Sequence, residues 1–124
     1  GRYLHQISAA VYDYARGHGY GVVRDLVGHG IGKHLHEEPE VPNFRKLTRG
    51  IRLLPGMTLA VEPMINEGTW KVGWRKNGWT VVTCDRRLSA HYENTILITN
   101  GRPEILTITE DEVARGIWKP GGNA

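Results

Sequence analysis

The chain has 124 residues, of which 40% are hydrophobic and 23% charged, a length and composition that favour one small soluble domain and exclude two domains or a disordered low-complexity protein. The formal net charge is +3, but the basic residues are scattered without interleaved aromatic side chains, which argues against nucleic-acid binding. A lone Cys84 cannot form an intramolecular disulfide, and no apolar run approaches the roughly 20 residues that span a bilayer, so we expect a cytoplasmic protein with no membrane partner.

The first predicted element is an amphipathic helix over about residues 2–16. Apolar residues recur there at spacings of three and four, which is the period of one helix face. Gly17 or Gly19 is expected to end the helix, because glycine readily adopts the left-handed conformation of a helix cap. The pattern begins at once, without the charged start and apolar run of a signal peptide, so we expect a truncated start.

The remaining chain reads mainly as strands. Residues 20–27, with adjacent valines, predict a strand. Residues 28–52 are rich in glycine, proline, histidine and charge and predict either a long loop, of the kind that is often functional, or an irregular strand region. Further strands are predicted at 57–62, 70–74, 79–83 and 89–99. The simplest architecture is α+β, a helix packed on an antiparallel sheet. The polar segment 108–124 is expected to be poorly ordered or to form one short helical turn.

Histidines and carboxylates cluster in the predicted loop. His29 lies between Gly28 and Gly30 at the end of a predicted strand, where we expect the missing side chains to leave room for a ligand beside the imidazole. Taken alone, this segment is more typical of a turn with a surface histidine. His36 follows seven positions later and precedes the pair Glu37-Glu38. Imidazole and carboxylate together suit manganese, iron, cobalt or zinc.

Two glutamates interrupt otherwise apolar strands. Glu62 is followed by Pro63, which should end its strand, and its carboxylate would be costly to bury without a cation or hydrogen bonds. Glu93 lies in the strand 89–99, whose alternation places His91 and Glu93 on one face. A solvated strand end or edge would explain each glutamate singly. Their combination with His29 and His36 favours a metal site.

A cupin barrel is the rival metal-binding class. Gly28, the pair His34 and His36, and Glu40 superficially fit the first cupin metal motif. A cupin also needs a histidine ligand after a second proline–glycine turn, and the next histidine after Pro55-Gly56 is His91, in the wrong context. The cupin interpretation is therefore rejected.

Four ordered segments closely resemble type I methionine aminopeptidases of peptidase family M24. They are GRYLHQISAAVYDYARGHGYGVVRDLV, GHGIGKHLHEEPEVPNF, PGMTLAVEPMIN and NGWTVVTCDRRLSAHYENTILIT. HEEP and GWTV favour this family over its prolidase and aminopeptidase P relatives. The resemblance implies the pita-bread α/β fold, in which two pseudo-symmetric halves with a curved antiparallel sheet and outer helices hold two divalent metals. Residues 1–107 resemble its carboxy-terminal half, and 108–124 would be a tail.

The resemblance also implies roles for individual residues. His29 and Glu62 would be ligands of one metal ion, Glu93 would bridge two ions, and Glu62 would also accept a proton from the attacking water. His36 would contact the scissile peptide and stabilise the tetrahedral intermediate. Trp79 would lie at the rim of the pocket for the methionine side chain, with Leu35 and Met64 nearby, although a tryptophan after Gly78 could also be a turn-flanking core residue.

The implied function is metal-dependent hydrolytic removal of the initiator methionine from nascent polypeptides. The family's first half supplies two aspartate ligands and a substrate-facing histidine, which neither Asp13 nor Asp25 matches. We therefore expect the chain alone to bind at most one metal ion weakly, to be inactive and marginally stable, and to gain order with its missing half. Two alternatives stay open: an Xaa-Pro aminopeptidase or prolidase of the same fold, and a non-catalytic pita-bread module that binds a partner.

Overall fold

The computed structural model describes residues 2–117, which form helices at both ends and short strands between them. The elements are α1 (Leu4–Gly17), β1 (Gly21–Val22), β2 (Gly28–Gly30), β3 (Glu37–Val41), β4 (Thr58–Val61), β5 (Met64–Asn66), β6 (Val72–Trp74), β7 (Val81–Thr83), β8 (Ser89–His91), β9 (Asn94–Leu97), β10 (Glu104–Ile105) and α2 (Glu110–Ala114). The predicted α+β class is confirmed, because every pairing among the described strands is antiparallel.

The strands form three sheets. The five-stranded sheet has the order β10-β9-β4-β2-β3, the three-stranded sheet has the order β1-β5-β8, and β6 pairs with β7 in a hairpin. Helix α1, predicted over residues 2–16, packs Leu4 and Ile7 against the core of the five-stranded sheet and also contacts β1 of the three-stranded sheet. The buried centre of this core consists of Leu4, Val41, Leu53 and Leu59. Within residues 2–117, no helix is long and apolar enough to cross a membrane.

Two predicted segments are organised differently in the structure. The predicted strand 20–27 is limited to β1, and the predicted loop 28–52 contains β2 and β3. Short strands with an irregular register agree with the second alternative for this segment, an irregular strand region, and the glycines are what this part of the sheet requires. A Cβ on Gly28 would lie 2.1 Å from the carbonyl oxygen of Ala60, and one on Gly30 would lie 2.2 Å from that of Glu38. The sequence analysis expected the space beside Gly28 and Gly30 to hold a ligand. In the structure, the backbone of neighbouring segments fills that space.

The strands around the two glutamates change sheets at one place. β4 pairs with β9 up to Val61 and Asn94, whereas their continuations β5 and β8 pair from Met64 and His91 onward. Residues 62–63 and 92–93 thus form a shared bend, which we call the strand corner. The Tyr92 backbone N–H donates to the Pro63 carbonyl across it at 3.3 Å. The single strand predicted at 89–99 is broken at this corner.

The segment predicted to be a tail has a helix in its described part. Thr109 caps α2 by accepting a hydrogen bond from the Glu112 backbone N–H, and the Tyr92 hydroxyl donates to the Glu112 carboxylate. The Thr107 hydroxyl donates to the Asn94 side-chain oxygen. These contacts attach the segment beside the strand corner. The rest of the predicted tail, residues 118–124, lies outside the described residues.

Several large apolar side chains are exposed. Leu47, Leu88, Trp79, Tyr14 and Leu35 each have more than two thirds of their surface in solvent. Burial of apolar area contributes about 25 cal/mol per Å² to stability, so uncovered apolar faces favour association with another surface. The expected marginal stability of the isolated chain stays a prediction.

Gly28→Ala should destabilise the fold, because its methyl group would collide with the β4 backbone. We expect the free energy of unfolding to fall by about 1–3 kcal/mol or more, the cost of overpacking a tight site. Urea unfolding followed by tryptophan fluorescence measures it. Gly73→Ala is the matched control, since a Cβ there meets no atom within 4 Å among the described residues. Equal effects of the two substitutions would contradict the close strand packing.

The attachment of α2 should depend on pH. The Tyr92 hydroxyl, followed by the Thr109 backbone amide and hydroxyl, lowers the pKa of Glu112 below its ordinary value of 4.5. A lowered carboxyl pKa contributes stability that is present above pH 4.5 and is lost as the pH falls through the lower value. NMR chemical shifts of α2 should therefore move toward coil values in acid.

Tyr92→Phe removes the largest cause of that shift. The pKa of Glu112 should rise toward its ordinary value, and the acid transition of α2 should move to higher pH. Tyr20→Phe removes a hydroxyl near β1 instead and should leave the transition unchanged. An identical transition in Tyr92→Phe would show that this hydrogen bond does not attach the helix.

Candidate metal centre

His29 occupies the middle of β2, and its two ring nitrogens have different neighbours. Its side chain is 12% exposed, and its Nδ1 lies 2.8 Å from the Gly30 carbonyl oxygen. Because a carbonyl can only accept a hydrogen bond, Nδ1 carries a proton, and in the neutral form of the ring the lone pair is on Nε2. This is the tautomer and the oriented ring that a metal-binding histidine requires.

The strand corner brings two carboxylates to this imidazole. Glu62 directly follows β4, and Glu93 directly precedes β9, so the pairing of these strands holds both residues at the corner. β2 lies beside β4, with His29 opposite Ala60. As a result, one ligand atom each from His29, Glu62 and Glu93 lies within 4.8 Å of the others. The three side chains converge from different segments, as the sequence analysis expected.

The donor set fits a divalent cation. Glu62 Oε1 lies 3.2 Å from His29 Nε2, and the Glu62 side chain is only 15% exposed. In the neutral tautomer both atoms are acceptors, and two acceptors at this distance need a shared cation, either a proton or a metal ion. The nearby Glu93 carboxylate adds a third electron-pair donor and more negative charge. One imidazole with two carboxylates suits the borderline and hard divalent metals.

His91 is a contact of this cluster that the sequence analysis did not assign. Its Nε2 lies 3.3 Å from Glu62 Oε2, on the opposite oxygen from His29. The sequence analysis considered His91 as a neighbour of Glu93 on one strand face and in rejecting a cupin site, but gave it no role. One signal was available, because strand alternation placed His91 and Glu93 on the same face.

His36 lies next to the cluster on the loop between β2 and β3. Its ring centroid is 4.3 Å from that of His29, and its side chain is exposed. Within residues 2–117, the group of converging ligand atoms does not include His36. Glu37 turns away from the cluster, since its Oε1 accepts the His34 backbone N–H at 2.9 Å. The loop thus brings one imidazole to the open side of the centre.

An apolar groove of about 550 Å³ adjoins the centre. Met64 and Trp79 both line it, together with Leu26 and His91. Trp79 is 77% exposed, so it is not a buried turn-flanking core residue. Leu35 is 68% exposed on the β2–β3 loop and is not among the described residues that line this groove. Leu26 is a lining residue that the sequence analysis did not identify.

Comparison with known proteins gives consistent matches. Residues 1–100 match the model of metallopeptidase family M24. The methionine aminopeptidase of Clostridium acetobutylicum is 54% identical over 110 residues, covering 89% of this chain and 44% of that protein. The Escherichia coli K12 methionine aminopeptidase is 44% identical over 114 residues, covering 92% and 43%.

Solved structures agree with these matches. The crystal structure of methionine aminopeptidase from Thermotoga maritima superimposes with a TM-score of 0.83 at 47% identity. The match covers 86% of this chain and 43% of that one. The chain therefore spans less than half the length of the relatives that it matches.

We expect His29→Ala and Glu93→Gln to abolish binding of divalent metal to the chain, because each removes one of the three donors that converge among residues 2–117. His36→Ala should leave binding intact, since its ring lies outside the converging group. Equilibrium dialysis against Co²⁺ or Mn²⁺ with metal analysis measures this. Glu104→Gln, an exposed glutamate in β10, is the matched control. Loss of metal in the His36 variant would contradict its separate role.

Proposed function

The chain belongs to metallopeptidase family M24, and from this premise we propose that it forms the carboxy-terminal half of a methionine aminopeptidase catalytic domain. The reaction is hydrolytic removal of the amino-terminal methionine from a polypeptide. The curated relatives that match at 44–54% identity carry this name, so the expected family resemblance is confirmed. We assign residues 1–107 to the half domain.

One observation carries the proposal. Donor atoms of His29, Glu62 and Glu93 come from three separate segments and lie within 4.8 Å of one another beside an apolar groove. Two carboxylates gathered at the strand corner repel each other, and this repulsion costs stability unless a cation compensates. A partner-binding module without catalysis has no need of this arrangement.

His29, Glu62 and Glu93 are the residues that would hold metal ions. A metallopeptidase family implies divalent metal, and the donor set suits cobalt, manganese, iron or zinc. When bound, such ions lower the pKa of a shared water and stabilise negative charge on the scissile carbonyl. Three donors should hold one ion weakly, and a second ion needs further ligands from the remainder of the domain.

Two side chains of this chain then act on protons and substrate. Glu62 is part-buried with its Oε1 directed at the cluster, where it can accept the proton of the attacking water. His36 is exposed beside His29, where it can donate a hydrogen bond to the scissile peptide as charge develops. The separation of the two rings allows one to bind metal and the other to bind substrate.

The apolar groove supplies a place for the substrate side chain. Met64 and Trp79 present a thioether and an aromatic ring, surfaces that favour contact with another thioether. We therefore propose peptides or nascent polypeptides with an amino-terminal methionine as substrates. The proposed setting is the cytoplasm, and the proposed partner is the remainder of the catalytic domain.

A chimera tests the proposal. We would replace the matching region of the Clostridium acetobutylicum enzyme by this chain and measure hydrolysis of a Met-Ala-type peptide. Metal-dependent turnover is expected, with kcat lowered at least about 100-fold by Glu62→Gln, the usual scale for loss of a general base. Glu104→Gln should change nothing. The chain alone should be inactive.

An Xaa-Pro peptide is the control substrate. Faster turnover of this peptide than of the Met-Ala peptide would assign the chain to a proline-directed aminopeptidase or prolidase. A folded, metal-loaded chimera that hydrolyses neither peptide would favour the non-catalytic module.

A further inference from the structure

The Glu62 carboxylate is contacted by an imidazole on each oxygen. His29 Nε2 lies 3.2 Å from Oε1, and His91 Nε2 lies 3.3 Å from Oε2. The two histidines differ in what else they contact. His29 belongs to the converging donor group, whereas among residues 2–117 that group does not include His91. The two oxygens of Glu62 therefore face different surroundings.

The strand corner fixes the position of His91. His91 ends β8 and lies opposite Met64 at the start of β5, two positions beyond Glu62. The contact between His91 and Glu62 thus spans the bend at which both strands change sheets. The His91 side chain is 42% exposed, against 15% for Glu62, so the ring reaches Glu62 from the solvent side. The groove lined by Met64 and Trp79 also includes His91.

We propose that His91 is a positioning residue for the metal ligand Glu62. Its Nε2–H donates a hydrogen bond to Oε2, which fixes the plane of the carboxylate and leaves Oε1 directed at His29 Nε2. Without this bond, the carboxylate can rotate about its terminal torsion, which is broad and has no strong preferred angle. The inference rests on the proposed metal site and adds the residue that orients one of its ligands.

Hydrogen-bond partners of ligands have measurable effects on metal binding. Removing such a partner commonly costs about 10- to 100-fold in metal affinity. A hydrogen-bond donor at Oε2 occupies that oxygen, so that Oε1, which lies 3.2 Å from His29 Nε2, would be the oxygen available to a metal ion. The effect should depend on the hydrogen-bond donor and not on the imidazole itself.

Two substitutions separate these possibilities in the full chain. His91→Leu removes the donor while keeping bulk, and we expect its affinity for Mn²⁺ or Co²⁺ to fall about 10- to 100-fold. His91→Gln keeps an N–H donor near the position of Nε2, so its affinity should stay within about threefold of the parent chain. His34→Leu, an exposed histidine on the β2–β3 loop, is the matched control. Isothermal titration with each metal measures all four proteins.

The outcomes are distinct. Equal, large losses in the Leu and Gln variants would overturn the inference, because His91 would then act as a ligand in its own right. Unchanged affinity in the Leu variant would overturn it as well. Circular dichroism and unfolding midpoints show whether a variant has lost its fold, in which case the Gln variant decides the matter.

A metal-independent measurement keeps this test separate from that of the proposed function. Metal-free crystal structures should show Glu62 in the same orientation in the parent chain and His91→Gln, and rotated in His91→Leu. Failure of the parent chain to bind metal would count against the proposed metal site, while these structures would still decide the role of His91. If Glu62 keeps its orientation in His91→Leu, the proposed positioning role of His91 is refuted.

Discussion

At the strand corner, two hydrogen-bonded strands leave the five-stranded sheet and join the three-stranded sheet together. Pro63 has no backbone N–H, so the ladder cannot continue unbroken through it, and only its carbonyl is available to Tyr92. A bend in one strand alone would break the pairing, whereas a shared bend keeps it on both sides. Because Glu62 and Glu93 flank this bend, the backbone constraint itself brings two carboxylates together. The candidate metal centre therefore depends on the strand corner, which holds Glu62 and Glu93 together.

The centre is supported by the most buried part of the fold. β2 and β4 lie at the middle of the five-stranded sheet, and the core beneath them includes Val41 and Leu59, which are almost fully buried. Close strand packing around Gly28 holds the His29 backbone, while the Gly30 carbonyl fixes its ring. Ligands on central strands with restrained side chains are positioned more accurately than ligands on loops. His36, in contrast, lies on the exposed loop between β2 and β3.

The sequence analysis succeeded where patterns are local. The apolar stripe predicted α1 to within a few residues. Apolar spacing indicates the period of a helix, and a terminal glycine indicates where the helix ends. His29, Glu62 and Glu93 were identified by the resemblance of their motifs. The sequence left a loop and an irregular strand region as alternatives around β2 and β3, because glycine signals a loop in isolation but here allows a strand to pack tightly. The substrate role of Leu35, which is exposed in the structure, stays a prediction.

By itself, the sequence determined the α+β class, the family and the chemical types gathered at the centre, because these depend on residue identity and on spacing along the chain. Only the tertiary structure decided that Glu62 meets His29 on one oxygen and His91 on the other. It also decided that Leu26 joins Met64 and Trp79 in one groove. These contacts follow from strand register and from a bend that two distant segments share. Register is set by pairing between segments, and no local pattern in either segment records it.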